Sequence, residues 1–169
     1  MKVNKDFLII IDDIINHPEF KKMKNIQHHG KHNNTYIHSY KTALFAYKSA
    51  KFFGFSRQDI VSTTRAACLH DFFCYDWRKN VYKQDLEKLK GIRKIKNLHC
   101  FIHPIIAANN ANKHFNISDR QKNAIENHMF PLSFDIPKNK EAWIVTLSDK
   151  VIATEELFKS SIYLFKKKK

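Results

Sequence analysis

Leu69-His70-Asp71 sets an imidazole beside a carboxylate near the end of an apolar helical run containing Thr63, Ala66 and Ala67. An uncompensated charge there is expensive. His38 lies upstream, His103 and His128 lie downstream, and Asp149 closes an ordered set that reads H…HD…H…H…D. Four imidazoles and two carboxylates without a thiolate form a borderline-hard donor set, suited to iron, manganese, cobalt, nickel or zinc and poorly suited to calcium. Six such side chains exceed what one ion with an open position needs. Successive helical side chains diverge by about 100°, so the adjacent His70 and Asp71 suit a carboxylate reaching between two ions while the imidazole binds one. The three cysteines, Cys68, Cys74 and Cys100, show no C-x-x-C spacing, which argues against both a disulfide framework and a thiolate zinc site.

The elements that must position these groups read as helices. His38, Thr42, Phe45, Ala46 and Ser49 recur at i, i+4, i+7, i+8 and i+11, which turns His38 inward on a helix expected from Thr35 to Phe53 and capped by Asn34. Gly54 ends that helix. Ser56 with Asp59 three residues on starts another, expected to reach Phe73 and to carry His70 and Asp71. Pro104 favours a first helical turn, placing His103 at the N-terminal edge of a helix running to about Lys113. Ser118 and Gln121 form a capping box for the next, on which Gln121, Ala124, Ile125 and His128 share a face. Pro131 and Pro137 bracket a loop. A last helix, from about Asn139 to Leu164, presents Ala142, Val145, Thr146, Asp149, Ile152 and Glu156 on one side, where the acid Asp149 calls for a partner. Ahead of these, Phe7, Leu8, Ile11, Ile14 and Ile15 mark an amphipathic helix over about 4–16, and a helical turn follows from Pro18 to Lys24. Gln27-His28-His29-Gly30 then forms a polar stretch whose His29 is a candidate substrate contact. Tyr75 to Lys79 is expected at the rim of the site, and 80–100 as a polar surface helix and loop over it.

With 3 Gly and 4 Pro in 169 residues, a sheet-based fold would lack its punctuation. The expectation is an all-α single domain: a helical buttress over 1–30, a metal-binding core over 31–159 and a basic tail over 160–169. Fourteen phenylalanines supply enough apolar volume to bury a polar site. Lys and Arg total 30 against 16 Asp and Glu, a formal charge of +14. Such a field attracts phosphates, nucleotides or nucleic acid, although a lysine-rich surface also arises from AT-rich coding, and no interleaved aromatic and basic motif of the single-strand-binding kind is present. The apolar run near the start, Phe7 to Ile11, is too short to span a bilayer and meets Asp12 and Asp13 at once. A soluble protein of the reducing cytoplasm fits these features.

The ordered set, together with Thr35-Tyr36-Ile37-His38-Ser39, His103-Pro104, His128-Met129 and Ser148-Asp149-Lys150, resembles the two-metal variant of the HD-domain superfamily of metal-dependent phosphohydrolases, from about Thr35 to Glu156. The resemblance implies a helical bundle with a buried binuclear site in which His38, His70, Asp71 and Asp149 hold one divalent ion and His103 and His128 hold a second, bridged by Asp71. It implies hydrolysis of a phosphate ester of a nucleotide or small metabolite, by a hydroxide shared between ions about 3.5–4 Å apart. Many members carry Gly-Lys shortly after the HD pair. Here Phe72-Phe73-Cys74 stands instead, leaving Arg78, Lys79 and Lys150 as candidate phosphate contacts, with Lys150 expected to point away from Asp149 on the helix. The same superfamily includes diiron oxygenases with this ligand pattern, and a non-catalytic nucleotide or nucleic-acid sensor would also suit the charge.

Overall fold

The computed structural model describes residues 5–28, 33–76 and 98–166. Every regular element among them is helical, as the scarcity of turn-forming residues implies. We number them α1 (Lys5–Asn16), α2 (Pro18–Lys21), α3 (Thr35–Phe52), α4 (Arg57–Leu69), α5 (His99–Phe115), α6 (Asp119–Glu126) and α7 (Lys140–Lys166), with a 3-10 turn at Lys22–Asn25. The protein is an all-α single domain, and none of the described helices is long and apolar enough to cross a membrane.

The starts of these helices follow from their caps. Asn34 Oδ1 accepts from Ile37 N at 2.9 Å, Ser56 Oγ accepts from Asp59 N at 3.2 Å, and Ser118 and Gln121 close a reciprocal capping box. Asn139 Oδ1 caps α7 by accepting from Ala142 N at 2.8 Å. Each satisfies a first-turn amide that would otherwise lack an acceptor. Three boundaries differ from expectation, one being that α6 stops at Glu126, so His128 lies in the turn beyond it. Helix α4 stops at Leu69 rather than Phe73, so His70 and Asp71 sit in the turn beyond it. Helix α5 begins a turn earlier than Pro104 suggested, at His99, and holds the proline inside it. The amides of Phe101 and Ile102 both donate to Leu98 O, at 2.9 and 3.2 Å, so the first turn is already formed when the proline arrives.

Helix α4 is central, packing against α1, α3, α5, α6 and α7. Small residues make that possible. Ala43, Ala46 and Ala50 of α3, Ala66 and Ala67 of α4, and Ala107, Ala108 and Ala111 of α5 are all fully buried, letting the helix axes approach closely. Aromatic rings fill the space around this seam. Phe7 packs edge-on to Tyr40 at 5.4 Å, and Phe72 lies 5.6 Å from Phe20 and 5.9 Å from Phe115. Phe7, Ile11 and Ile14 of α1 belong to the same cluster. A bidentate pair fastens α1 to α4, Arg65 donating to Asp13 at 2.6 and 2.8 Å.

Candidate metal centre

The six expected ligands converge from five parts of the chain: His38 from the first turn of α3, His70 and Asp71 from the turn after α4, His103 from α5, His128 from the turn after α6, and Asp149 from the middle of α7. All six are buried. Early termination of α4 is what aims the HD pair. His70 Nδ1 donates to Ala67 O at 2.8 Å, and Phe73 N donates to Asp71 O at 2.8 Å, tightening the chain so that both side chains turn toward the other ligands.

Three imidazoles are oriented in the same way. His70 Nδ1 meets Ala67 O, His103 Nδ1 donates to His99 O at 2.7 Å, and His128 Nδ1 donates to Ile125 O at 2.7 Å. A carbonyl only accepts, so each Nδ1 carries a proton and each ring turns its Nε2 toward the centre. His103 Nε2 and His128 Nε2 are 3.0 Å apart. At that separation the two nitrogens share a proton in a hydrogen bond or face a common cation. His70 Nε2 is buried with no hydrogen-bond partner among the described residues.

Asp71 divides its carboxylate between two groups. Oδ2 lies 3.5 Å from His70 Nε2 and 3.9 Å from His38 Nε2, and Oδ1 lies 3.4 Å from His103 Nε2 and 3.7 Å from His128 Nε2. Asp149 Oδ1 adds itself to the first group, 3.1 Å from His38 Nε2 and 3.6 Å from His70 Nε2. Atoms each held about 2.1 Å from a common ion stand about 3.0–3.4 Å apart at octahedral or tetrahedral angles. The observed separations sit at or slightly above that range. The donor set therefore fits metal ions, and His38, His70 and Asp149, and likewise His70, Asp71 and His128, form compact groups able to hold one.

Burial and mutual charge set the protonation of these groups. Burial drives the His128 pKa down to about 3, helped by the neighbouring His70 and His103, which keeps its Nε2 available as a donor atom. The carboxyls of Asp71 and Asp149 resist the upward push of burial and stay well below the usual range, Asp71 because of His70 and His103 and Asp149 because of His38 and His70. His70 is raised despite its burial, by Asp71 and Asp149.

No family model, curated protein or solved structure matches this chain. What the site can do must be read from its own geometry. It opens on a cavity of about 510 Å³ whose wall, beyond the ligands, combines Leu98, Met129, Leu132 and Ala153 with His99, Cys100 and Lys150. Lys150 does not point away, contrary to the helical divergence of neighbouring residues. Its long stem bends back so that Nζ donates to Asp149 Oδ2 at 2.9 Å and to His128 O at 3.0 Å. His29, Arg78 and Lys79 lie outside the described residues, as does nearly all of the 80–100 segment.

Two contributors escaped the sequence reading. His28, rather than its neighbour His29, reaches the centre, its ring stacked on His38 at 3.8 Å and its Nε2 3.2 Å from Asp71 Oδ2. Backbone pairing places it. Gln27 and Asn34 form an isolated antiparallel bridge, and His28 N donates to Asn33 O at 3.0 Å, clamping this strand-like piece against the start of α3. Although burial opposes the charge, Asp71 and Glu156 raise the His28 pKa to about 9. Glu156 is buried, and its Oε2 accepts from His38 Nδ1 at 3.0 Å while Lys41 Nζ donates to Oε1 at 2.9 Å. Its place on the same side of α7 as Asp149 was the available signal.

Proposed function

We propose that this protein is a metal-dependent phosphohydrolase of the HD-domain kind, with two divalent ions in one buried centre and a phosphate ester of a nucleotide or small metabolite as substrate. The observation that carries the reading is the convergence of four imidazole Nε2 atoms on a carboxylate that faces both ways. His38, His70, Asp149 and Asp71 Oδ2 would hold one ion, and His103, His128 and Asp71 Oδ1 the other. Bound there, such a pair supplies Lewis acidity toward phosphoryl oxygens and lowers the pKa of water enough to generate a nucleophile near neutral pH.

The chain's own groups then have defined tasks. The three backbone carbonyls that accept from His70, His103 and His128 fix which nitrogen of each ring faces inward, and so prepare the centre without rearrangement. Lys150 Nζ stands at the cavity wall beside Asp149, where an ammonium can steady one phosphoryl oxygen. His28 donates its Nε2 proton to Asp71 Oδ2, holding that carboxylate in its shared orientation. Leu98, Met129 and Leu132 give the cavity wall an apolar stretch on which the non-phosphoryl part of a substrate would rest. A net charge of +14 draws anionic substrates toward the opening.

The test is a screen of phosphorylated compounds with protein loaded anaerobically with manganese, nickel or cobalt. Phosphate release without oxygen is expected. If no phosphate ester is turned over with any divalent ion, while iron-loaded protein consumes oxygen together with a substrate, the hydrolase reading fails.

A further inference from the structure

Among the four imidazoles of the centre, His38 is oriented differently. His70, His103 and His128 each give their Nδ1 proton to a backbone carbonyl three or four residues earlier. His38 sits in the first turn of α3, where the carbonyl four residues before it, Asn34 O, already accepts from the His38 amide at 3.0 Å. Its Nδ1 instead meets the Oε2 of Glu156, 118 residues away on α7, at 3.0 Å. Glu156 is 4% exposed, and Lys41 Nζ, 2.9 Å from the other oxygen, balances its charge.

Resting on the two-metal reading above, we infer that Glu156 is a positioning carboxylate that makes the His38–His70–Asp149 half of the centre the tighter metal site, the one that loads first. A carboxylate accepting the Nδ1 proton fixes the His38 tautomer and raises the donor strength of Nε2 more than a neutral carbonyl does. The half built on His38 also carries a carboxylate of its own, Asp149, besides its share of Asp71. The half built on His103 and His128 has only its share of Asp71 and carbonyl-oriented rings. The grouping of His28, His38 and Glu156 as donors for a separate ion is the weaker reading, because a His38 ring using Nε2 for one ion would have to lose its remaining proton to offer Nδ1 to another.

The experiment is a stepwise titration of the full, metal-stripped chain with zinc and manganese, followed by calorimetry and elemental analysis. Wild-type protein is expected to take up two ions in two phases. His128→Ala should keep the tight phase and lose the weak one. Glu156→Gln preserves shape and removes the charge, and should weaken the first phase by about 10–100-fold while leaving the second unchanged. A purely structural role for Glu156 would lower both phases together along with the melting temperature of the ion-free protein, and that result overturns the inference. So does a first phase unaffected by Glu156→Gln, or a third ion per chain. Nitrogen NMR of zinc-loaded wild-type protein needs no variant: His38 should be protonated at Nδ1, and a bare Nδ1 refutes the assignment. Failure of wild-type protein to bind any ion sinks the two-metal reading and this inference with it. Two ions bound with equal affinity sink the inference alone.

Discussion

Asp71→Ala should abolish metal-dependent stabilisation altogether, because one carboxylate serves both halves of the centre. Its Oδ2 faces His38 and His70 and its Oδ1 faces His103 and His128, at 3.4–3.9 Å. An ion that binds only the folded chain stabilises it by RT ln(1 + [L]/Kd), about 2.7 kcal/mol per site at a free concentration of 100 Kd. For a chain of this size that raises Tm by roughly 5–11 °C per site, and two independent sites double the shift. His103→Ala or His128→Ala, each touching one oxygen of Asp71, should retain more than half of it, because the ion lost is the more weakly held. The assay is thermal unfolding of metal-stripped protein with and without zinc, manganese or nickel, paired with elemental analysis. The ion-free Asp71→Ala protein should fold, since the variant removes a charge that only cationic neighbours make tolerable. A wild-type Tm indifferent to every ion, or an Asp71→Ala variant that gains as much as wild type, refutes the reasoning.

Phe72→Ala removes a fully buried ring wedged between Phe20 and Phe115, and should cost about 3–5 kcal/mol in urea or thermal unfolding; a loss under 1 kcal/mol would show that the ring is not a core element. In the ion-free protein, the His28 pKa is raised to about 9, so its stabilising contribution is complete below the unfolded value of about 6.5 and is lost as pH rises through 9. Over that same interval metal binding should strengthen, because the competing proton leaves; calorimetric enthalpies at pH 7.5 that are independent of buffer ionisation would contradict it. Raising salt should lower kcat/KM for an anionic substrate and leave kcat nearly unchanged; a salt-independent kcat/KM would show that the +14 charge plays no part in substrate capture.

Local signals made most of the helices legible. Asn34, Ser56 and Ser118 each satisfy an amide within three residues of themselves, so nothing distant was needed to place α3, α4 and α6. The inward faces of His38 and Asp149 followed from helical spacing alone, whereas His128, expected on α6, lies in the turn after it and is aimed by its Nδ1 contact with Ile125 O. The end of α4 did not, because no glycine or proline marks it. The helix stops where His70 turns its ring back onto Ala67 O, so the boundary is a product of the site it serves. A propensity argument run along the sequence carries the helix straight through the HD pair.

His28 shows a different limit. Two adjacent histidines in a loop differ only in register, and register there is fixed by the pairing of Gln27 with Asn34 and of His28 N with Asn33 O, contacts between stretches with no periodic pattern. Glu156 was missed as a site residue, and Lys150 was named but aimed the wrong way, for opposite reasons. Glu156 lies two helical turns beyond Asp149 on the same side, and what makes it functional is an imidazole 118 residues away. Lys150 sits next to Asp149, where backbone geometry sends its Cβ elsewhere, but four methylenes let the ammonium return to within 2.9 Å of the carboxylate. Helical spacing constrains short side chains such as Asp and His, whose donor atoms stay near the direction of Cβ. It loosens its hold on lysine, and a buried acid at the edge of a cavity gives a neighbouring lysine reason to bend toward it.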